Sequence, residues 1–293
     1  MSRNEDRLSD EEEMKKTIER ANILIEALPY IRRFSGNTFV IKYGGAAMEK
    51  TDLRESVTQD VILLKYVGIN PVLVHGGGPE ITRALRKLNK QTKFVKGLRV
   101  TDKETIKVVE DVLVRKINRE IVNYINKHSG KAIGLSGKDA GFLCVKRHKP
   151  GGMNIGLVGE IVKVNSKFLY ALVKDFIPVI APIGVDAKGQ VYNINADEAA
   201  SKIAEALKAE KLIVLTDVKG VMDKNGKLIS AIRVNEVKKA MGAAGKGMIP
   251  KLKGCIEAVK RGVKKAHIID GRIPHALLLE IFTDEGIGTQ ITK

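Results

Sequence analysis

Pro71-Val72-Leu73-Val74-His75-Gly76-Gly77-Gly78-Pro79 is the stretch on which the fold turns. The apolar run from Pro71 to Val74 reads as a buried strand that ends on a histidine and three glycines. Pro79 then suits the first position of a helix, where its missing N–H costs no hydrogen bond. Glycine lets the backbone approach a ligand and turn its N–H groups toward an anion. A helix N-terminus behind it adds the positive end of a dipole.

The same pattern occurs just upstream, where the strand Thr38–Tyr43 runs into Gly44-Gly45. Downstream, Leu53–Tyr66 reads as a helix, and Thr101 as the cap of a long helix from Asp102 to Lys127. Lys131–Val164 is Gly-rich and strand-like, with a hairpin. Phe176–Pro182 is a buried strand, Asp197–Leu207 an Ala-rich helix, and Lys211–Leu215 a strand ending at Thr216-Asp217. A turn at Asn225-Gly226, helices near 234–241 and 250–262, a strand at Ala266–Ile269 and a helix near Pro274–Phe282 complete the chain. Alternating strands and helices predict an α/β fold with an open, mainly parallel sheet covered on both faces. Ligands bind such sheets beyond the carboxyl ends of the strands. A lobe boundary is expected near residue 209.

One more helix, from about Asp10 to Arg33, precedes the first strand. Ser9 and Glu12 read as a capping box. Glu11, Glu12 and Glu13 at one end and Arg32 and Arg33 at the other suit the helix dipole. Met14, Ile18, Ala21, Ile25 and Leu28 form an apolar stripe, and Pro29 is expected to kink the helix. The stripe has two readings: it packs on its own fold, or it drives self-association.

The 293 residues are 44% hydrophobic and 29% charged, ordinary values for a globular chain. Cys144 and Cys255 lack metal-binding or redox spacing and read as free thiols, so a cytoplasmic setting is expected. No run of about 18 apolar residues points to a membrane helix, and the acidic start does not read as a signal peptide. The net charge of +17 favours anionic partners or a solvated lysine-rich surface. With 4% aromatics and no Trp, nucleic acid is a poor fit. Walker A, kinase HRD/DFG and Rossmann patterns are missing.

Three constellations remain. Lys42, alone among Val40, Ile41 and Tyr43, must snorkel or pair with an anion. Tyr192–Asp197 sets two amides and a carboxylate before a helix, as an N-cap or as ligand contacts. Gly245–Lys251 is a glycine-flanked loop whose lysines meet phosphate or solvent.

Taken in order, Lys42-Tyr43-Gly44-Gly45, His75–Pro79, Gly97–Asp102, Asn193–Asp197, Leu215–Val218 and Gly247–Lys251 resemble the amino acid kinase family over residues 14–292. The resemblance implies a three-layer αβα sandwich. It divides into a kinked N-terminal helix (9–35), an N-lobe for the acceptor and dimerisation (36–208) and a C-lobe for ATP (209–293). The branch it matches phosphorylates the γ-carboxylate of N-acetyl-L-glutamate in arginine biosynthesis, using ATP with Mg²⁺ held mainly by the phosphates and no metal-ligating side chains. Lys42, Lys251 and Asp197 then match catalytic positions. Gly45, Gly77, Gly78, Arg99, Asn193 and Asn195 match acceptor contacts, and Thr216, Asp217, Gly220, Gly245, Lys246, Gly247 and Met248 match the nucleotide side. Arginine-inhibited members carry the extra helix, which interlaces homodimers into a homohexamer. Tyr30, His267, Glu280 and Gly286 match that arginine site, with Glu280 able to pair bidentately with a guanidinium. The resemblance leaves room for a signalling partner of the PII type and none for a membrane. Lys246 and Glu198 depart from the common residues at their positions. Kept alongside are a sister kinase for carrier-linked aminoadipate, glutamate or aspartate, and a non-catalytic regulatory or nucleic-acid-binding protein on the same fold.

Overall fold

In the computed structural model, β1 (Thr38–Tyr43) lies inside an eight-stranded sheet and is buried along almost its whole length. Residues 2–237, 241–242, 245 and 247–293 are described. The remaining strands are β2 (Asn70–His75), β3 (Phe94–Val95), β4 (Leu98–Arg99), β5 (Ala132–Ser136), β6 (Leu143–Arg147), β7 (Gly159–Val164), β8 (Ile177–Ala181), β9 (Ile183–Val185), β10 (Val191–Asn193), β11 (Lys211–Thr216), β12 (Ala231–Arg233), β13 (Lys265–Asp270) and β14 (Thr289–Thr292). The large sheet runs β12-β14-β13-β11-β1-β2-β8-β5. Its pairs are parallel except β13 with β14. Strands buried on both faces need apolar residues throughout, which is how β1, β2, β8 and β11 read in the sequence.

Successive strand residues point to opposite faces. Val40, Val72, Val74 and Val214 pack on one face with Ala199, Ala200 and Ile203 of the helix Ala196–Ala206 and Leu252 and Cys255 of the helix Met248–Lys260. Phe39, Ile41, Leu73 and Ile213 pack on the other with Val57 and Val61 of the helix Thr51–Tyr66 and Leu277. The expected α/β layering is therefore present. The order of strands reverses at β1, with β2 on one side and β11 on the other, so the crevice for a ligand lies beyond the carboxyl ends of these strands.

The expected hairpin is β6–β7, within a separate four-stranded sheet ordered β10-β9-β6-β7. Other expectations need correcting. The first helix starts at Ser2 and passes through Ser9, so Ser9 is not its cap; it continues through Pro29 to Phe34. The next long helix is capped by Asp102, whose carboxylate accepts the N–H groups of Glu104 and Thr105 at 3.1 and 2.7 Å. Thr101 instead donates its hydroxyl to the Arg99 carbonyl. That helix is α-helical over Lys103–Glu110, π-helical over Asp111–Asn118 and α-helical again to Lys127. The last helix spans Ala276–Ile281, because His275 before it takes a left-handed conformation.

The apolar stripe of the first helix does not pack on its own fold: Met14, Ile18, Ile25 and Leu28 are all exposed. Among the described residues, its last turns are anchored by Phe34 edge-on to Phe39 and by Tyr30 edge-on to Phe282.

Candidate active site

Lys42 is the next-to-last residue of β1, and the strand's alternation turns it toward the face covered by Ala196–Ala206 and Met248–Lys260. Asn195 caps the first of these helices, its side-chain oxygen accepting the N–H groups of Asp197 and Glu198 at 2.9 and 3.0 Å. That cap fixes Asp197 in the first turn. Lys251 lies in the first turn of the second helix. The three side chains meet: Lys251 Nζ donates to Asp197 Oδ2 at 2.7 Å, and Lys42 Nζ is 3.2 Å from Oδ1. The second contact is an ion pair without an aligned hydrogen bond. A Cβ at Gly44 would lie 2.9 Å from the Lys42 ammonium, so a larger residue after Tyr43 would displace the tip of the lysine.

Burial lowers the affinity of Lys42 for its proton, and the Lys251 charge adds to this, while Asp197 opposes both. Burial pushes the Asp197 carboxyl up, but the two ammonium groups outweigh it and hold it below the usual carboxylate range. Two cations on one carboxylate leave a positive excess.

This excess faces a cleft of about 230 Å³ walled by Lys42, Asp197, Gly45, Gly77, Gly78, Arg99, Asn193 and Asn195. All the acceptor residues expected from the sequence are thus brought together, although Asn195 spends its oxygen on the helix cap. Arg99, buried on β4, donates to the Gly78 carbonyl and to Thr82 Oγ1, both at 2.9 Å, and stacks on Phe94. It has no carboxylate partner among the described residues. Asn193 reaches the site because β9 and β10 double back beside β6. Leu113, from the π-helical segment, also walls the cleft and was not singled out from the sequence.

The described residues expected on the nucleotide side lie outside these walls. Thr216 ends β11, with its hydroxyl donating to Asp217 Oδ1 at 3.2 Å. Gly220 is fixed by packing: its φ is +147°, and a Cβ there would lie 2.7 Å from Leu228 Cδ1 and Thr289 Oγ1. The Gly245 carbonyl accepts the Met248 N–H, Gly247 precedes the helix, and the Met248 side chain joins the core. Lys246 lies outside the described residues. Glu198 ties its helix to β7 through the Ile161 N–H.

Tyr30, His267, Glu280 and Gly286 line a second cavity, also of about 230 Å³, together with Arg33, Lys211, Lys265 and Asp284. Tyr30 donates to Asp284 at 2.6 Å. Both oxygens of Glu280 are engaged, Oε1 by His267 at 2.5 Å and Oε2 by the Ile287 N–H at 2.8 Å, so a guanidinium would have to share them. Lys211 Nζ sits 3.4 Å from His267 Nε2 and over the Phe34 ring. Burial drives Lys211 down to about 8. Its sequence signal, a lysine alone among the apolar residues of its strand, is the one that Lys42 carries.

No helix among the described residues is long and apolar enough to cross a membrane. Residues 37–270 match the model of the amino acid kinase family. The acetylglutamate kinase of Caldanaerobacter subterraneus subsp. tengcongensis is 57% identical over 280 residues, 94% of this chain and 93% of that one. The acetylglutamate kinase of Sulfurihydrogenibium sp. is 52% identical over 298 residues, 95% of this chain and all of that one. Among solved structures, the N-acetylglutamate synthase of Neisseria gonorrhoeae, with coenzyme A and N-acetyl-glutamate bound, superimposes with a TM-score of 0.84 at 27% identity. It covers 93% of this chain, which spans 63% of that longer one.

Proposed function

The chain belongs to the amino acid kinase family, and we propose that it transfers the terminal phosphoryl group of ATP to the γ-carboxylate of N-acetyl-L-glutamate, a step of arginine biosynthesis. The observation that carries this reading is the convergence of Lys42 and Lys251 on Asp197 beside a glycine-walled cleft. The curated relatives named acetylglutamate kinase, more than half identical along almost the whole chain, support it.

The acceptor needs no general base. A Glu-type carboxyl has a pKa of about 4.3 and is already ionised at neutral pH. The obstacle is repulsion between a carboxylate and a triphosphate. A loose phosphoryl transition state spreads its charge over three oxygens, so positioned cations and N–H donors supply the catalysis. In this reading Lys42 and Lys251 donate to those oxygens, and Asp197 holds both ammonium groups in place. Gly45, Gly77 and Gly78 turn backbone donors into the cleft. Arg99, a cation without a carboxylate partner among the described residues, holds the acceptor's α-carboxylate, and Asn193 with Asn195 holds its amide. Thr216, Asp217, Gly220 and the Gly245–Met248 loop take the nucleotide.

Among the described residues no group of three or more His, Cys, Asp or Glu side chains is placed to hold a metal ion. Mg²⁺ would travel on the phosphates of the nucleotide.

The second cavity suits a zwitterionic amino acid. Its Lys211, Lys265 and Arg33 would meet a carboxylate, and Glu280 and Asp284 a guanidinium. We assign it to L-arginine as an inhibitor. We assign the exposed stripe of the first helix to a second copy of the chain, consistent with dimers joined into a hexamer.

ADP release from ATP is to be measured with N-acetyl-L-glutamate, glutamate, aspartate and N-acetyl-aminoadipate in parallel. Turnover confined to the first acceptor is expected, and preference for another reassigns the substrate. No ADP release together with a salt-dependent DNA shift would favour the nucleic-acid reading.

A further inference from the structure

His75 is fully buried at the end of β2, and the mechanism above gives it no task. Its surroundings nevertheless define its protonation. Asn118 donates from Nδ2 to the Val179 carbonyl at 2.8 Å and faces His75 Nε2 from the same nitrogen at 3.2 Å. An amide nitrogen only donates, so Nε2 must be the accepting nitrogen and the ring proton sits on Nδ1. Nδ1 lies 2.8 Å from the Gly76 carbonyl oxygen and donates to it. Burial depresses the ring to about 4, so this neutral tautomer persists across the working range of pH.

The Gly76 carbonyl and the Gly77 N–H belong to one planar trans peptide, in which they point in opposite directions. Holding the carbonyl against the buried His75 ring therefore turns the Gly77 N–H the other way. The loop is pinned once more, by the Gly76 N–H donating to the Tyr43 carbonyl at 2.7 Å.

The support for this arrangement comes from the π-helical segment. Its wider turn, with i→i+5 bonding, sets Leu113, Ile117 and Asn118 toward the end of β2. A Cβ on Gly77 would lie 2.5 Å from Leu113 Cδ2 and 2.7 Å from Ile117 Cδ1, so the loop rests directly on this segment. Gly134 leaves the room that the Asn118 amide occupies, since a Cβ there would lie 2.2 Å from Asn118 Oδ1.

We propose that His75 and Asn118 are a positioning pair that aims the Gly77 N–H into the cleft toward the anionic group bound there. The proposal rests on the reading of Gly77 as a donor in a phosphoryl-transfer site. Neither side chain touches substrate; both act through the glycine peptide.

The test compares His75→Leu, Asn118→Leu and His75→Asn with the unaltered protein, by steady-state kinetics and thermal melting. Asn offers an N–H near the place of Nδ1, whereas Leu offers none. The two Leu variants are expected to lose about 10- to 100-fold in kcat, part of what removing one such donor costs. KM for ATP should stay close to that of the unaltered protein, and His75→Asn should recover most of the rate. A folded His75→Leu protein with unaltered kcat overturns the proposal. If the Leu variants do not fold, a His75→Asn protein that melts normally yet is as slow as a lost donor predicts also overturns it. An unaltered protein that does not turn over N-acetyl-L-glutamate refutes the function itself, a different outcome from any of these.

Discussion

Lys42 on β1 and Lys211 on β11 stand on adjacent strands of one sheet, at opposite ends. Phe39 is the register partner of Lys211, and Val214 that of Lys42. At about 3.3 Å of rise per residue, the strands keep the two ammonium groups beyond each other's reach. Both are lone lysines in apolar strands, and both are buried. Their partners differ. Lys42 shares one carboxylate with a second lysine, which leaves positive charge facing a cleft. Lys211 meets His267, whose ring bonds to Glu280, and burial brings Lys211 toward neutrality. The ratio of cations to carboxylates thus separates a site that draws in an anion from one that is nearly balanced and can accept a zwitterion.

The largest expected effect breaks the first half of this comparison. Lys42→Ala and Lys251→Ala should each lower kcat at least about 10²–10³-fold, read as ADP release with N-acetyl-L-glutamate. Near-normal turnover in either would remove the assignment. The pH profile sharpens the point. Lys42 has a lowered pKa, so its charge, and with it the rate, is lost as pH rises below the range where an exposed lysine titrates. Asp197 stays ionised to lower pH than an ordinary carboxyl and adds no acid limb near neutrality.

The second half is tested by Glu280→Gln. Losing one charge-assisted bond, about 1.5–3 kcal/mol, should raise the L-arginine concentration for half inhibition at least about tenfold. An unshifted inhibition curve would dissociate Glu280 from any inhibitor site. A smaller effect follows from Lys211. Its folded pKa of about 8 lies below the ordinary lysine value, so it is charged below that pH and neutral above it. Half inhibition by arginine should therefore need several-fold more inhibitor at pH 9 than at pH 7. Smallest in its effect on turnover is Ile18→Glu with Ile25→Glu. These charges on the exposed stripe should leave the rate near normal while sedimentation reports smaller particles.

The βα rhythm was legible because Pro71–Val74 and Lys211–Leu215 are too apolar to lie anywhere but inside a sheet. The cleft beside Lys42 was legible because its residues sit in short motifs at strand ends. Other features depend on partners far away in the chain. No local pattern marks Asp111–Asn118 as π-helical, since the reason is its fit beneath Gly77 and beside Gly134. Ser9 matches a capping box, yet the helix continues upstream of it. Lys211 carried the same local signal as Lys42, but what surrounds it comes from β13, from Phe34 and from the segment after Ala276, which no spacing rule joins. Gly245 is set by the helix that begins at Met248, whose N–H its carbonyl accepts, while the cleft beside Lys42 has its walls from both halves of the chain.

The first helix leaves Met14, Ile18, Ile25 and Leu28 facing water while its final turns wall the second cavity through Tyr30 and Phe34. If another protomer covers those four side chains, the shape of that cavity is tied to assembly. Dilution would then act as an effector in its own right, and any response to a ligand of that cavity would depend on how much of the protein the cell makes.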